Sequence, residues 1–168
     1  MFKIRILLSL FLPFIFYQFS SCTKMEELEE AEYINFDAEG LKSSIEYTLA
    51  PVKTFNLKDS ANYCSLYIMV RYTDSCLIRQ LPLSVEYSLA NSNAVSTDKI
   101  NIPLFDQEGV SYGHGNLTLY ETSYLLKENA QIDNCFYLSF ETPEKNTEGI
   151  ISVGIKAIKK FKPYETHS

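Results

Sequence analysis

Apolar and polar residues alternate with a period of two along most of the chain from Tyr33 onward, and apolar stripes at helical spacing are nearly absent. Such alternation is typical of β-strands that give one face to a core. In the segment 63–72 one face carries Cys64, Leu66, Ile68, Val70 and Tyr72. The segment therefore predicts a long central strand. The segment 81–89 alternates most regularly, and Pro82 within it indicates an edge or a strand start because proline cannot donate a ladder hydrogen bond.

Further segments with strand character are separated by stretches rich in turn-forming residues. The remaining predicted strands are 45–49, 99–104, 117–126, 135–142 and 150–158, and the predicted turns are 59–62, 73–75, 90–98, 106–116, 133–134 and 143–149. The segment 120–129 could instead form one or two helical turns. This pattern predicts an all-β domain over residues 33–160, folded as an antiparallel β-sandwich that is immunoglobulin-like or jelly-roll-like, with a tail at 161–168.

The N-terminus has the features of a bacterial export signal. Lys3 and Arg5 precede an apolar run, residues 6–17, that is too short for a stable transmembrane helix. Small residues at Ser20 and Ser21 directly before Cys22 form a loose lipobox. We therefore expect a lipoprotein signal at 1–21 and diacylglycerol on the Cys22 thiol with an acylated amino group, which together anchor the chain to a membrane. The alternative is an ordinary secretory signal that is cleaved near Ser21.

The charge of the mature chain argues against a nucleic-acid partner. Removing 1–21 takes away two of the 15 basic residues and none of the 21 acidic ones, which leaves 13 − 21 = −8. Residues 22–32 are acidic and predict a tether between lipid and domain. The lysines at 156–162 are interpreted as a solvated edge-strand face and tail.

Three cysteines remain in the mature domain, at Cys64, Cys76 and Cys135. Their odd number and the absence of CxxC favour small buried apolar side chains at two of these positions. A Cys64–Cys76 or Cys76–Cys135 disulfide is the alternative. Scattered cysteines and two histidines do not form a zinc motif, and no cofactor is predicted.

The sequence contains no convincing catalytic motif. His114 lies between glycines in a predicted loop and His167 is the penultimate residue, so neither is placed as a general base. Gly109, Gly113 and Gly115 are the densest glycine cluster, but no GK[ST] and no helix follow. We expect these glycines to allow positive φ in a long connection between strands.

Several short motifs in order resemble the gliding-motility lipoprotein GldH family of Bacteroidetes. They are INIPLFDQEG at 100–109, GHG at 113–115, Tyr120, KEN at 127–129 before Ile132, FYLSF at 136–140, GIISVGI at 149–155, and YIMVRY at 67–72. The likeness spans most of residues 45–158. Two positions depart from the family pattern, because Ser111 stands where the family usually has tryptophan and Cys135 where it has glycine.

The resemblance implies a non-enzymatic lipoprotein of the outer membrane that acts by protein contact in gliding motility or in the associated type IX secretion machinery. The expected docking surface is a sheet face or the loop that contains Asp106, Gly109, Tyr112, Gly113 and Gly115. The alternative function is a surface glycan-binding or adhesin-like sandwich, in which the aromatic rings of Tyr63, Tyr67 and Tyr137 stack on sugars.

Two weaker signals bear on the location of such a lipoprotein. The acidic residues after Cys22 resemble the signal that sends Bacteroidetes lipoproteins to the outer leaflet, so both the periplasmic face and the cell surface remain open. Asp59-Ser60-Ala61 resembles the O-glycosylation signal of these bacteria, which makes Ser60 a candidate modification site.

Overall fold

The computed structural model describes residues 27–49, 63–89, 94–116, 118–132 and 137–160. Strands form wherever these ranges alternate apolar with polar residues. They are β1 (Glu27–Asn35), β2 (Tyr47–Leu49), β3 (Tyr63–Thr73), β4 (Gln80–Ser88), β5 (Val95–Pro103), β6 (His114–Asn116), β7 (Leu119–Gln131), β8 (Leu138–Glu141) and β9 (Ile150–Lys160). None of the described residues forms a helix that would be long and apolar enough to cross a bilayer.

The strands form two sheets in which every neighbouring pair is antiparallel. The five-stranded sheet has the order β1-β9-β3-β7-β6, and the four-stranded sheet has the order β2-β8-β4-β5. The sheets pack face to face, so the prediction of an all-β antiparallel sandwich is confirmed. The prediction that β3 is a central strand is also confirmed, since β3 pairs with β7 on one side and with β9 on the other.

The core lies between the two sheets, where the apolar faces of β3 and β4 pack against each other. The apolar face predicted for β3 is buried throughout, and β4 buries Leu81, Leu83, Val85 and Tyr87. Each such side chain contributes about 1.5–3 kcal/mol relative to solvent exposure. Pro82 lies before Ser84, where the pairing of β4 with β8 begins, so its missing N–H falls outside that ladder.

Strand β7 resolves the ambiguous segment 120–129 in favour of a strand. It pairs with β3 from Leu119 to Gln131, with register shifts beside Leu66. Asn129 has a φ of +51°, as expected near an irregularity of this kind. The alternative of one or two helical turns is therefore wrong, because long-range pairing with β3 supplies the backbone hydrogen bonds.

Strand β1 corrects the predicted tether. The whole of Glu27–Asn35 pairs with β9, from Glu27 opposite Lys160 to Asn35 opposite Ser152. Residues 27–32 therefore belong to the sheet. Their acidic character is compatible with an edge strand, where charges discourage further pairing, and Glu29 forms an ion pair with Lys156 at 3.2 Å.

The same pairing corrects the interpretation of the C-terminal lysines. Strand β9 lies between β1 and β3, so it is an interior strand and presents no edge. Lys159 is 6% exposed, and Lys156 pairs with Glu29. The sequence pattern of β9 did not reveal its neighbour because β1 is too acidic to be recognised as a strand by its hydrophobicity.

Candidate functional site

The connection between β5 and β6 begins with a tight turn that Asp106 holds. The Oδ1 atom of Asp106 accepts hydrogen bonds from the backbone N–H groups of Glu108 and Val110, both at 2.8 Å. The backbone N–H of Asp106 donates to the Val110 carbonyl at 2.9 Å. Gly109 has a φ of +84°, a conformation that other residues rarely adopt. Asp106 and Gly109, both expected in a docking loop, therefore shape the turn.

The second half of this connection is fixed by the buried Tyr72 of β3. The Tyr72 hydroxyl lies 2.8 Å from the Leu104 carbonyl and 2.8 Å from the Ser111 hydroxyl, and it accepts the Gly113 N–H at 3.0 Å. Tyr72 is fully buried, so these contacts satisfy a polar group that would otherwise be costly in the core. Ser111 therefore links the loop to the sheet.

Gly113 and Gly115 are required by close approach to β7. A Cβ atom on Gly113 would lie 2.8 Å from the Tyr72 hydroxyl and 2.9 Å from the Glu121 carbonyl. A Cβ atom on Gly115 would collide with the Leu119 carbonyl. The glycines shape this connection as expected, but positive φ occurs only at Gly109 among the three, and close approach is the reason for the other two.

An aromatic cluster lies beneath the loop. The ring centroids of Tyr72 and Phe105 are 5.2 Å apart in an edge-on arrangement, and those of Tyr72 and Tyr120 are 5.7 Å apart. Such pairs contribute about 0.5–1.5 kcal/mol beyond their buried area. The start of the loop, at Phe105, therefore packs against aromatic rings of β3 and β7.

The tip of the loop exposes apolar side chains. Val110 is 60% exposed and Tyr112 is 57% exposed. Glu108 and His114 are exposed beside them, and His114 lies opposite Glu121 in the pairing of β6 with β7. Of the five predicted docking residues, Tyr112 is the one that presents a large side chain to solvent. This arrangement can bind a partner through shape and apolar contact.

A polar cluster on the outer face of the five-stranded sheet was not predicted from the sequence. Arg71 Nε donates to Glu121 Oε2 at 2.6 Å, and Tyr33 Oη donates to the same oxygen at 3.1 Å. The Arg71 guanidinium lies 4.0 Å from the centroid of the Tyr33 ring. The alternation puts Arg71 on the outer face, but only the register shows that it meets Glu121 and Tyr33.

The electrostatics of this cluster reflect its half-buried position. Burial, followed by the neighbouring Glu121 carboxylate, raises the pKa of Tyr33. The hydrogen bond to Glu121 raises the pKa of Arg71. The side chains of Arg71 and Glu121 are both more than one-third exposed, so their ion pair contributes at most about 1 kcal/mol to stability.

A shallow cleft of about 460 Å³ lies between this cluster and β6. Its lining includes Arg71, His114, Asn116, Leu119 and Glu121. The cleft is open to solvent and offers a cation, a carboxylate and an imidazole as binding contacts. Across the described ranges, no group of three or more histidine, cysteine or acidic side chains is placed to hold a metal ion.

The tyrosines of the glycan-binding alternative do not share one sheet. Tyr63 and Tyr67 lie on β3 of the five-stranded sheet, whereas Tyr137 directly precedes β8 of the four-stranded sheet. Tyr63 is 51% exposed, and the other two are half-buried. The three rings therefore do not form a single stacking platform.

Cys64 and Cys76 are free buried thiols, as the favoured interpretation predicted, and a Cys64–Cys76 disulfide is wrong. Burial raises the pKa of Cys64 to about 11, although the Lys159 charge opposes this shift. Burial also raises the pKa of Cys76. The other predicted positions, Cys22, Ser60 and Cys135, lie outside the described residues.

The four terminal strands of the described sheets are poorly suited to strand addition, although β6 pairs only with Leu119–Glu121 and the rest of β7 has no described partner on that side. Strands β2 and β6 are three residues long, and β1 is strongly acidic. Strand β5 is a longer edge strand that carries Lys99 and ends at Pro103. Asp98 of this strand lies opposite the buried Val85 of β4, and its side chain accepts a hydrogen bond from the Tyr87 hydroxyl. Short strands, inward charges and prolines are features that limit edge pairing.

Comparison with known proteins gives a family match. A family model described as GldH lipoprotein matches residues 31–157. No curated protein matches the chain. A solved structure titled "Structure of Eiger TNF from S. frugiperda" is similar at a TM-score of 0.30 and 8% identity, covering 83% of this chain and 98% of that chain. That likeness is too distant to indicate a function.

Proposed function

The chain belongs to the GldH lipoprotein family, and from this premise we propose that it is a non-enzymatic outer-membrane lipoprotein that acts by protein contact. Its proposed place is gliding motility or the type IX secretion machinery that accompanies it. The observation that carries the proposal is the family match over residues 31–157, which includes the loop and both of its neighbouring strands.

The proposed anchor is the lipid on Cys22. Basic residues, a short apolar run and small residues before the cysteine occur in the order that lipoprotein signals require. Two or more acyl chains give stable membrane attachment, whereas a single chain gives marginal attachment. Replacement of Cys22 with Ala should move the protein from the outer-membrane fraction to the soluble fraction. A variant that still pelleted with the outer membrane would contradict the lipid anchor.

The proposed contact surface is the loop from Asp106 to Asn116. The terminal strands β1, β2, β5 and β6 limit strand addition, and the loop offers a partner side-chain contact in place of a backbone ladder. The loop is held by Tyr72 and Asp106 and exposes Val110 and Tyr112. A held loop loses little conformational entropy on binding, which favours affinity.

The test of the contact function is a pull-down of the lipidated protein from native membranes, with a Tyr112→Ser variant as the comparison. We expect motility or secretion components in the wild-type sample and a loss of these components with the variant. Recovery of glycan-uptake proteins alone would favour the surface glycan-binding alternative and contradict this proposal.

Ser60 is also proposed as an O-glycosylation site, on the basis of the Asp59-Ser60-Ala61 motif. Mass spectrometry of the mature protein from its native host should show a glycan mass that is absent after Ser60→Ala. An unmodified Ser60 peptide in the wild type would contradict this assignment.

A further inference from the structure

The strand directions give the five-stranded sheet two distinct ends. One end contains Glu27, where β1 begins, and Lys160, where β9 ends. Tyr63 and Gln131 lie opposite each other at the same end. We call this the anchor end. The opposite end contains the last residues of β1 and β3 and the first residues of β7 and β9, and we call it the loop end.

The β5–β6 connection belongs to the loop end. Tyr72, the residue before the last of β3, contacts Leu104 and Ser111. The Leu104 N–H donates to the Arg79 carbonyl, which directly precedes β4. The Tyr112 N–H in turn donates to the Leu104 carbonyl. These contacts fix the base of the connection at the end of β3 that is remote from Tyr63.

Exposed apolar side chains gather at the loop end. Of the eight large apolar side chains that are exposed within the described ranges, four lie there: Leu77 at 71%, Val110 at 60%, Tyr112 at 57% and Leu119 at 43%. The anchor end has Tyr63 at 51% and Val95 at 51%. Exposed apolar groups that cluster within a polar surround mark protein-interaction sites.

The charge around these apolar groups is mainly negative. The carboxylates in segments at the loop end are Asp74, Glu108, Glu144 and Glu148, and the cations in the same segments are Arg79 and Lys145. Arg71 is already paired with Glu121. An acidic rim is repelled by an anionic lipid surface and complements a basic rim on a protein.

The spacing from Cys22 to β1 restricts how the domain can meet the membrane. Four residues separate Cys22 from Glu27, so the chain can span at most about 18 Å between them. Strand β1 has nine residues and extends about 30 Å from the anchor end to the loop end. The lipid therefore holds the anchor end close to the bilayer, and the loop end can lie well beyond it.

We propose that the anchored protein presents its loop end away from the bilayer, to a partner protein with an apolar patch rimmed by lysine or arginine. This inference rests on the proposed function, because it takes the Cys22 lipid as the point of attachment. Val110 and Tyr112 supply the apolar contact, Leu77 is a further exposed apolar side chain at the loop end, and the carboxylates there select the basic rim.

The orientation can be tested with single tryptophans, because the natural chain contains none. Tyr112→Trp reports on the loop end and Tyr63→Trp on the anchor end, and the two native tyrosines are similarly exposed, at 57% and 51%. The lipidated variants are placed in phosphatidylethanolamine–phosphatidylglycerol vesicles that contain a lipid with a nitroxide on its headgroup. We expect tryptophan fluorescence to be quenched at least three-fold more strongly in the Tyr63→Trp variant than in the Tyr112→Trp variant.

Equal or stronger quenching in the Tyr112→Trp variant would overturn the orientation while leaving the anchor intact. Cosedimentation with the vesicles is measured in the same samples, with Cys22→Ala as the control. Failure of the lipidated chain to cosediment would refute the proposed anchor, and the orientation with it.

The partner is tested with the photo-crosslinking amino acid p-benzoylphenylalanine in place of Val110 in cells, with Val95 as a matched exposed position at the other end. We expect a crosslinked protein at position 110 only, with a yield that falls several-fold when Glu108→Lys is added. Crosslinking to lipid at position 110, or equal protein crosslinking at position 95, would overturn the proposed surface. A yield unaffected by Glu108→Lys would overturn the basic rim.

Discussion

Replacement of Tyr72 with Phe tests whether one buried hydroxyl holds the loop to the sandwich. The ring remains in the aromatic cluster with Phe105 and Tyr120, so packing is retained. The hydroxyl and its contacts with Leu104, Ser111 and Gly113 are lost. The substitution therefore isolates the polar link between β3 and the loop.

The expected loss of unfolding free energy depends on which hydrogen bonds the partners of the Tyr72 hydroxyl keep. A hydrogen bond contributes about 0.5–1.5 kcal/mol net, and a buried group left without a partner costs about 1–3 kcal/mol. The Leu104 carbonyl keeps the Tyr112 N–H at 2.9 Å, and the Gly113 N–H keeps the Ser111 hydroxyl at 3.0 Å. We therefore expect a loss of about 2 kcal/mol, below the sum of three full hydrogen bonds, and a decrease in Tm of about 8 °C.

Urea unfolding of the mature domain measures this loss, with Tyr67→Phe as the control. Tyr67 lies on the same strand and no hydrogen bond of its hydroxyl is found among the described residues, so its loss should stay below about 0.5 kcal/mol. Hydrogen exchange at the Gly113 amide should accelerate about 30-fold in Tyr72→Phe, because about 1.4 kcal/mol corresponds to a factor of ten. Equal stability of the two variants would refute the view that Tyr72 holds the loop.

Two further predictions concern the sheets. Gly154→Ala places a methyl group against the Glu32 carbonyl and 2.6 Å from Cδ1 of Tyr33, so it should cost about 1–3 kcal/mol in urea unfolding. A loss below about 0.5 kcal/mol for Gly154→Ala, the range of ordinary surface substitutions, would contradict the packing argument. Burial raises the pKa of Cys64 to about 11 from an ordinary value of 9.0, so the folded state holds this proton more tightly than the unfolded state. The stability that the protonated Cys64 thiol contributes is fully present below the pKa of the unfolded state and is lost as the pH rises through the pKa of the folded state. The free energy of unfolding should therefore fall with pH by about 2–3 kcal/mol more than that of Cys64→Ala. Parallel profiles of unfolding free energy against pH for the two proteins would refute this.

The strand content could be predicted from the sequence because the two faces of each strand differ in polarity. Strands β3 and β4 bury the side chains that their alternation selected. Strand β1 was missed because its sequence, ELEEAEYIN, has too few apolar residues to indicate a core face. The position of β1 in the sheet is determined by its hydrogen bonds with β9, and the alternation of apolar and polar residues does not reveal such pairing.

The candidate site could likewise be predicted only in part from the sequence. Glycine and aspartate in the segment 106–115 indicated a structured connection, and the turn at Asp106 agrees with this. The sequence could not indicate that Tyr72 reaches Ser111, because the two residues are 39 positions apart and belong to separate elements. The cluster of Tyr33, Arg71 and Glu121 was missed for the same reason, since its members meet only through the register of four strands.

The pairing of β1 with β9 has a mechanical consequence. A pull between Cys22 and a partner at the loop end acts along the axis of β1, whose ladder with β9 runs from Glu27 to Asn35. The ladder bonds are perpendicular to the strands, so this tension loads them together in shear and does not peel them apart one at a time. Tyr33 ties the loaded strand across the sheet to Glu121 on β7. With the proposed lipid at one end and the proposed partner at the other, this arrangement would transmit force along β1 into the whole sheet.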